Sequence, residues 1–154
     1  MVNGNNKGKA FERKICQEFT LLFGMSMKFK RDIEQFRQSD LGDIICSDPD
    51  WPFVVECKRY AKGNGPQPAW VRQAQKAADT AKKHWAVVYQ YDRKPVRVAV
   101  SLGALADAMG HYDLQKETVW ESDLDGFAEI ARELMARVNE KRQLEKIYDR
   151  TIGV

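Results

Sequence analysis

The hydrophobic and polar positions of this chain repeat with two different periods. Apolar residues recur every three or four positions over 9–23, 69–84 and 123–148, which predicts three helices. Two-residue alternation and short apolar runs predict strands at 27–31, 43–46, 53–60, 85–91 and 96–101, followed by a short helix at 102–109. Residues 1–7 are polar and rich in Gly and Asn, which predicts a mobile arm.

The order of these elements predicts the fold class. A helix, three strands, a helix, two strands and a helical tail indicate an α/β (or α+β) fold, with helices flanking a central mixed β-sheet. The 154 residues are enough for one domain with a substantial core. Because no run of 18 apolar residues and no cleavable leader is visible, we expect no membrane span and a cytoplasmic location.

Charge and cysteine content limit the classes of function. Residues 59–100 hold nine Lys or Arg against two acidic residues, while the whole chain has a net charge of +3. This distribution suits a phosphate-binding surface, although it is more often simply a lysine-rich helix face. The three cysteines are widely spaced among apolar residues and the two histidines stand alone. We therefore expect neither disulfides nor a histidine metal site.

The segment VVECKRY, residues 54–60, places two charged residues at the end of an apolar strand. Alternation sends Glu56 and Lys58 to one face of the strand and Cys57 to the other. Such a pair is also common on a solvated edge strand, so the neighbouring residues must decide. Asp43 opens the adjacent predicted strand, which would bring its carboxylate beside Glu56.

A third carboxylate, Glu12, falls inside the apolar stripe of the first predicted helix. An ionised carboxylate on a core-facing stripe is costly unless a positive group pairs with it. The alternative is an exposed acid near the first helical turn, where the helix dipole favours negative charge. If Glu12 faces inward, three carboxylates and Lys58 converge on one face of the sheet.

Clustered carboxylates repel one another unless a cation lies among them. Hard oxygen ligands suit Mg²⁺ or Mn²⁺, which would polarise a phosphodiester while Lys58 orients or deprotonates the attacking water. We therefore predict Glu12, Asp43, Glu56 and Lys58 as the catalytic set. The predicted metal set comprises Glu12, Asp43, Glu56 and the intervening Cys57.

Three motifs in this order resemble the PD-(D/E)xK nuclease superfamily: GKAFERK at 8–14, SDLGDI at 39–44 and ECK at 56–58. Within it, the pattern is most similar to the archaeal-type Holliday junction resolvases, which phages also encode. Gly42 departs from the usual proline before Asp43. The resemblance covers about residues 7–100, and it implies a single domain: a restriction-endonuclease-like core over 7–100 and a helical C-terminal extension over 101–154.

The resemblance also implies the reaction and the partners. These enzymes hydrolyse DNA phosphodiesters with a divalent metal, leave a 5′-phosphate, and act as homodimers because a four-way junction is cut symmetrically on two strands. Many members use a Gln or Glu of the second helix, for which Gln75 is the first candidate and Gln73 the second. Both also fit a plain exposed helix face. The residues expected near phosphates are Lys7, Lys9, Arg13, Arg31, Arg59, Lys62 and Arg72.

Other functions and roles stay open at this point. A restriction-type or repair endonuclease, or an exonuclease, would carry the same catalytic residues. A DNA-binding module without chemistry is disfavoured, because such a module does not need clustered carboxylates. Trp70 could stack on an unpaired base or belong to the core. The last helix could pack along the domain or contact a second copy.

Overall fold

A computed structural model describes residues 4–33, 41–111 and 117–153 of the chain. Within these ranges the chain forms four helices and six strands: α1 (Gly4–Phe23), β1 (Phe29–Arg31), β2 (Ile44–Cys46), β3 (Phe53–Tyr60), α2 (Pro68–Ala81), β4 (His84–Tyr91), β5 (Arg97–Ser101), α3 (Leu102–Ala108), β6 (Val119–Ser122) and α4 (Leu124–Thr151). None of these helices has the length and apolar character needed to cross a membrane. The predicted α/β fold with a mixed sheet is confirmed.

The six strands form one sheet in the order of the chain, β1 to β6. The pair β3–β4 is parallel, with Phe53 opposite His84 and Tyr60 opposite Tyr91, and the other described pairs are antiparallel. Parallel neighbours need a crossover connection, and α2 supplies it. In the strand order, β3 and β4 are the two central strands, which explains the apolar runs in the first half of β3 and in β4.

Each face of the sheet has its own apolar core. On one face, Phe19 of α1 and Phe127 of α4 stack with ring centroids 5.6 Å apart, in the same cluster as Phe53 and Val55. On the other face, Val54 packs with residues of α2. The predicted alternation of β3 is therefore confirmed, and α1 and α2 lie on opposite faces.

Two predictions from the hydrophobic pattern are wrong. Residues 4–7, predicted as part of a mobile arm, form the first turns of α1, and Lys7 is held there by an ion pair with Asp92 at 2.7 Å. β6 lies between the helices predicted at 102–109 and 123–148, where the hydrophobic pattern predicts no strand. Three of its four residues are exposed, so the strand carries no apolar alternation that the sequence could reveal.

The last helix has a buried first half and a solvent-exposed second half. Phe127, Ile130 and Leu134 are buried in the core, whereas Leu144 and Tyr148 are each 64% exposed. The first half of α4 thus packs along the domain, one of the two arrangements left open by the sequence. The segment after residue 100 also contributes β5's last residue and β6 to the sheet, rather than helices alone.

Gly42 allows β2 to begin directly against β3. Its φ of +76° is in the left-handed region, and a Cβ at this position would lie 2.6 Å from the carbonyl oxygen of Val55. That same oxygen accepts a 2.7 Å hydrogen bond from the backbone N–H of Asp43. Proline cannot adopt this φ, so the glycine is required by the close approach that positions Asp43.

We expect Gly42→Ala to destabilise the protein by about 3 kcal/mol, since it combines left-handed strain with a backbone clash. Gly24→Ala is the matched control, because Gly24 also has a positive φ (+91°) but no atom near its missing Cβ. It should cost about 1 kcal/mol. Urea unfolding of both variants measures the difference, and equal losses would contradict the proposed close approach.

Candidate active site

The centre of the site is a pair of buried carboxylates on adjacent strands. Asp43 immediately precedes β2 and is 9% exposed, and Glu56 in β3 is 3% exposed. Their side chains are hydrogen-bonded to each other, and the backbone N–H of Cys57 donates to Asp43 Oδ2 at 2.7 Å. The predicted neighbourhood of Asp43 and Glu56 is therefore present in the folded chain.

The environment of Glu56 disfavours its negative charge. Burial is the main cause and the carboxylate of Asp43 the second, and together they raise the pKa of Glu56 to about 8, against the opposing effect of Lys58. The group therefore retains a proton near neutral pH unless additional positive charge enters the site. This electrostatic state is typical of carboxylates that serve as ligands or catalysts.

Lys58 and Gln73 complete the polar cluster on the α2 side of the sheet. Lys58 Nζ lies 3.9 Å from Glu56 Oε2 and donates a 2.9 Å hydrogen bond to Gln73 Oε1. The amide nitrogen of Gln73 in turn donates to Glu56 Oε2 at 3.3 Å. Gln73 therefore bridges the acid and the base of the ECK motif and fixes their relative positions.

The glutamine that reaches the cluster is the second of the two candidates. Gln75 instead lines a separate groove with Trp51, Pro52 and His84, at the opposite end of β3 and β4. Two positions along a helix correspond to about 200° of rotation, so Gln73 and Gln75 cannot share one direction. The sequence pattern alone did not give the direction in which α2 faces β3.

Glu12 does not join Asp43 and Glu56 in the way the sequence suggested. Its helix packs on the Cys57 side of β3, and its Oε2 accepts a 2.6 Å hydrogen bond and ion pair from Arg31 Nε. Glu12 raises the pKa of Glu56 less than burial and Asp43 do. The prediction that Glu12 shares a sheet face with Glu56 was wrong. The apolar stripe shows which side of the helix is buried, but it does not show on which face of the sheet the helix packs.

Cys57 takes part in the site through its backbone. Its side chain packs against the apolar cluster on the α1 side, and burial, followed by the charge of Asp43, raises the pKa of the thiol well above its usual range. A thiol that stays protonated is a poor ligand for a hard cation. The structure therefore does not support Cys57 as a metal ligand through sulfur.

A groove of about 840 Å³ opens beside this cluster, between the start of α1 and the end of β3. We call it the α1–β3 groove. Four of the seven residues predicted near phosphates line it, together with Lys58, so its wall is rich in positive charge. Its lining includes Lys7, Lys9, Glu12, Arg31, Lys58, Arg59 and Tyr60. Of the other predicted residues, Arg13, Lys62 and Arg72 are exposed outside this lining.

Asp92, which the sequence analysis did not single out, ties two of these cations together. Its Oδ1 lies 2.7 Å from Lys7 Nζ and 2.6 Å from Arg59 Nη2, and hydrogen bonds from Lys7 and Arg59 lower the pKa of its carboxyl. The ion pair between Lys7 and Asp92 joins the first turn of α1 to the turn after β4. An acid this distant in sequence gives no signal that could have revealed the contact.

The donor set fits a hard divalent cation. No three His, Cys, Asp or Glu side chains come together as a metal site in the parts of the chain that the structure describes. However, Mg²⁺ is commonly held by one or two carboxylates together with water and substrate phosphates. The buried pair of Asp43 and Glu56, with the raised pKa of Glu56, offers oxygen ligands whose ionisation a cation would favour.

A mixed sheet that carries Glu56 and Lys58 on a central strand, with Asp43 immediately before the neighbouring strand, defines a nuclease of PD-(D/E)xK type. The family model described as "Phage putative PDDEXK endonuclease" matches residues 3–146, and the chain belongs to that family. The fold is also similar to the Holliday junction resolvase Hjc of Archaeoglobus fulgidus, with 17% identity and a TM-score of 0.45 over 59% of this chain and 74% of that one. No curated protein sequence matches significantly.

The raised pKa of Glu56 predicts a pH-dependent stability in EDTA. An acid whose pKa rises from 4.5 to about 8 on folding contributes stability that is complete below about pH 4.5 and is lost as the pH rises through 8. Glu56→Gln should remove this loss and make the variant more stable than the wild type at pH 9, by a difference on the order of 2–4 kcal/mol.

Unfolding curves at pH 5 and pH 9 measure the effect. Glu133→Gln, on an exposed position of α4, is the matched control and should follow the wild type at both values. If the difference between Glu56→Gln and wild type is the same at pH 5 and pH 9, the carboxylate is not destabilised in the way described.

Proposed function

We propose that this protein is a divalent-metal-dependent DNA endonuclease that cleaves four-way junctions. The observation that carries the nuclease chemistry is the cluster of Asp43, Glu56 and Lys58 beside the positively charged α1–β3 groove. The groove offers cations for the phosphates of a DNA strand, and the cluster offers carboxylates and an ammonium group where a phosphate would lie.

Asp43 and Glu56 would hold the metal, with Mg²⁺ or Mn²⁺ as the expected ion. When bound, the cation supplies positive charge at the phosphate that is being cleaved. Of Cys57, only the main-chain carbonyl oxygen is a donor of the kind that Mg²⁺ prefers. The hydrogen bond from the N–H of Cys57 keeps the Asp43 carboxylate in place before any ligand arrives.

Lys58 would act on the water or on the phosphate. Its ammonium group is held by Gln73 within 3.9 Å of the Glu56 carboxylate, so it is presented at the same point as the metal ligands. From there it can donate a hydrogen bond to a phosphate oxygen, or orient the water that attacks phosphorus. Gln73 acts through Lys58 and Glu56, as a positioning residue.

Glu12 would serve the groove rather than the metal pair. Its ion pair holds Arg31 at the groove wall, where the guanidinium can contact a phosphate. Lys7, Lys9 and Arg59 would contact neighbouring phosphates, with Asp92 holding two of them in position. These contacts fix the position of the DNA and carry no sequence information.

The proposal of a junction substrate is supported by the motif order in the sequence. A glycine-led helix with Glu12 and Arg13, a basic residue on the first strand, and the ECK triad together resemble the archaeal-type resolvases. Symmetrical cleavage of two strands would require two sites, so we propose a homodimer. As the family is described from phages, the proposed location is the host cytoplasm.

The first experiment compares a labelled four-way junction with linear duplex DNA of the same sequence, in Mg²⁺ and in EDTA. The wild type should cut the junction into paired nicked duplexes in Mg²⁺ only. Glu56→Ala and Lys58→Ala should each lower the rate by at least about 10²-fold. Equal cleavage of the duplex would favour a restriction-type or repair endonuclease, cleavage from ends would favour an exonuclease, and binding without cleavage would favour a non-catalytic module.

Gln73→Ala should lower the cleavage rate about tenfold or more, because Lys58 and Glu56 lose the group that joins them. Gln75→Ala is the matched control, two positions along the same helix and outside the cluster. It should cleave at the wild-type rate. Single-turnover kinetics with saturating enzyme separates this effect from weaker DNA binding, and equal behaviour of the two variants would contradict the role given to Gln73.

A further inference from the structure

Tyr60 presents an aromatic ring at the mouth of the α1–β3 groove. It ends β3 two residues after Lys58, so strand alternation puts the two side chains on the same face, with Cα atoms about 7 Å apart. The residue is 46% exposed, in contrast to the buried tyrosines of β4. It lies in the lining of the cationic groove, together with the proposed catalytic lysine.

A second aromatic ring covers the inner face of the Tyr60 ring. Tyr60 stacks on Trp70 of α2, with ring centroids 5.0 Å apart and an angle of 26° between the rings. Trp70 is 5% exposed, and its ring centroid lies 6.1 Å from those of Tyr89 and Tyr91. The ring of Trp70, a candidate for base stacking in the sequence, is buried, and Tyr60 occupies the outer position of the stack.

The chemistry of the groove indicates what would cover the outer part of the Tyr60 ring. Lys58 and Arg59 directly precede Tyr60 in the chain, and all three residues line the groove with Lys7 and Lys9. A DNA strand that placed its phosphates on these cations would bring one of its bases towards Tyr60. Aromatic side chains beside a cationic track commonly stack on nucleic acid bases.

We propose that Tyr60 stacks on the base of the nucleotide next to the scissile phosphate, and that this contact selects DNA with an unstacked base. In a continuous duplex both faces of each base are covered by its neighbours, so the ring has no free face to contact. At the centre of a junction, or in a single strand, a base can lose one neighbour. This inference rests on the proposed nuclease function and names a residue that would determine its substrate structure.

The test uses three variants of the full chain. Tyr60→Leu removes the aromatic ring but still covers Trp70, Tyr60→Phe keeps the ring, and Tyr148→Leu changes an exposed tyrosine on α4, outside the groove. On the four-way junction, Tyr60→Leu should raise KM about tenfold or more with a smaller change in kcat. Tyr60→Phe and Tyr148→Leu should stay within about twofold of wild type.

A binding measurement tests stacking without cleavage. Single-stranded DNA that contains the fluorescent base 2-aminopurine is titrated with each variant in Ca²⁺, in place of Mg²⁺. Wild type and Tyr60→Phe should change the fluorescence of the bound base, and Tyr60→Leu should leave it near its free value.

The two proposals fail in different ways. If the wild type leaves the junction intact, the junction proposal fails, and the 2-aminopurine signal still decides for or against Tyr60. If the wild type cuts the junction and Tyr60→Leu matches it in KM and in the fluorescence signal, the role of Tyr60 is overturned. A loss of binding in Tyr60→Phe equal to that in Tyr60→Leu would also overturn it, since the ring alone would not be the contact.

Discussion

The hydrogen-bonded carboxylates of Asp43 and Glu56 are the contact on which the rest of the site depends. Burial, followed by the charge of the neighbouring Asp43, raises the pKa of Glu56 to about 8. The surrounding groups reduce this cost: a backbone N–H supports Asp43, and Lys58 and Gln73 reach Glu56. Gly42 serves the same arrangement, because only a residue without a Cβ lets the chain bring Asp43 so close to β3.

The site draws on both layers of helices. α2 contributes Gln73 from one face of the sheet, and α1 contributes Lys7 and Glu12 from the other, where Glu12 pairs with Arg31 of β1. The two sets meet at the end of β3, where Lys58, Arg59 and Tyr60 line the groove. This geometry explains how residues on opposite faces of one strand, Lys58 and Arg59, come to line the same groove.

The sequence contained the fold class, most elements and the residues of the cluster, because period and motif depend on local order. Alternation correctly separated Glu56 and Lys58 from Cys57, and the helical period predicted over 9–23 corresponds to a stripe that is buried at Phe11, Ile15 and Phe19. What failed was orientation between elements: the face against which Glu12 packs, and the choice between Gln73 and Gln75. Ser39 and Asp40 of the SDLGDI motif lie outside the described residues.

The solvent-exposed half of α4 affects the dynamics of the chain. From about Val138 onward its side chains are exposed, so no packed core covers the backbone hydrogen bonds there, and an ion pair ties Arg142 to Asp50 of the domain. Isolated helices of this length are marginal in water. Amide hydrogens in these last turns therefore exchange through local fraying, whereas those of the central strands β3 and β4 exchange only through global unfolding.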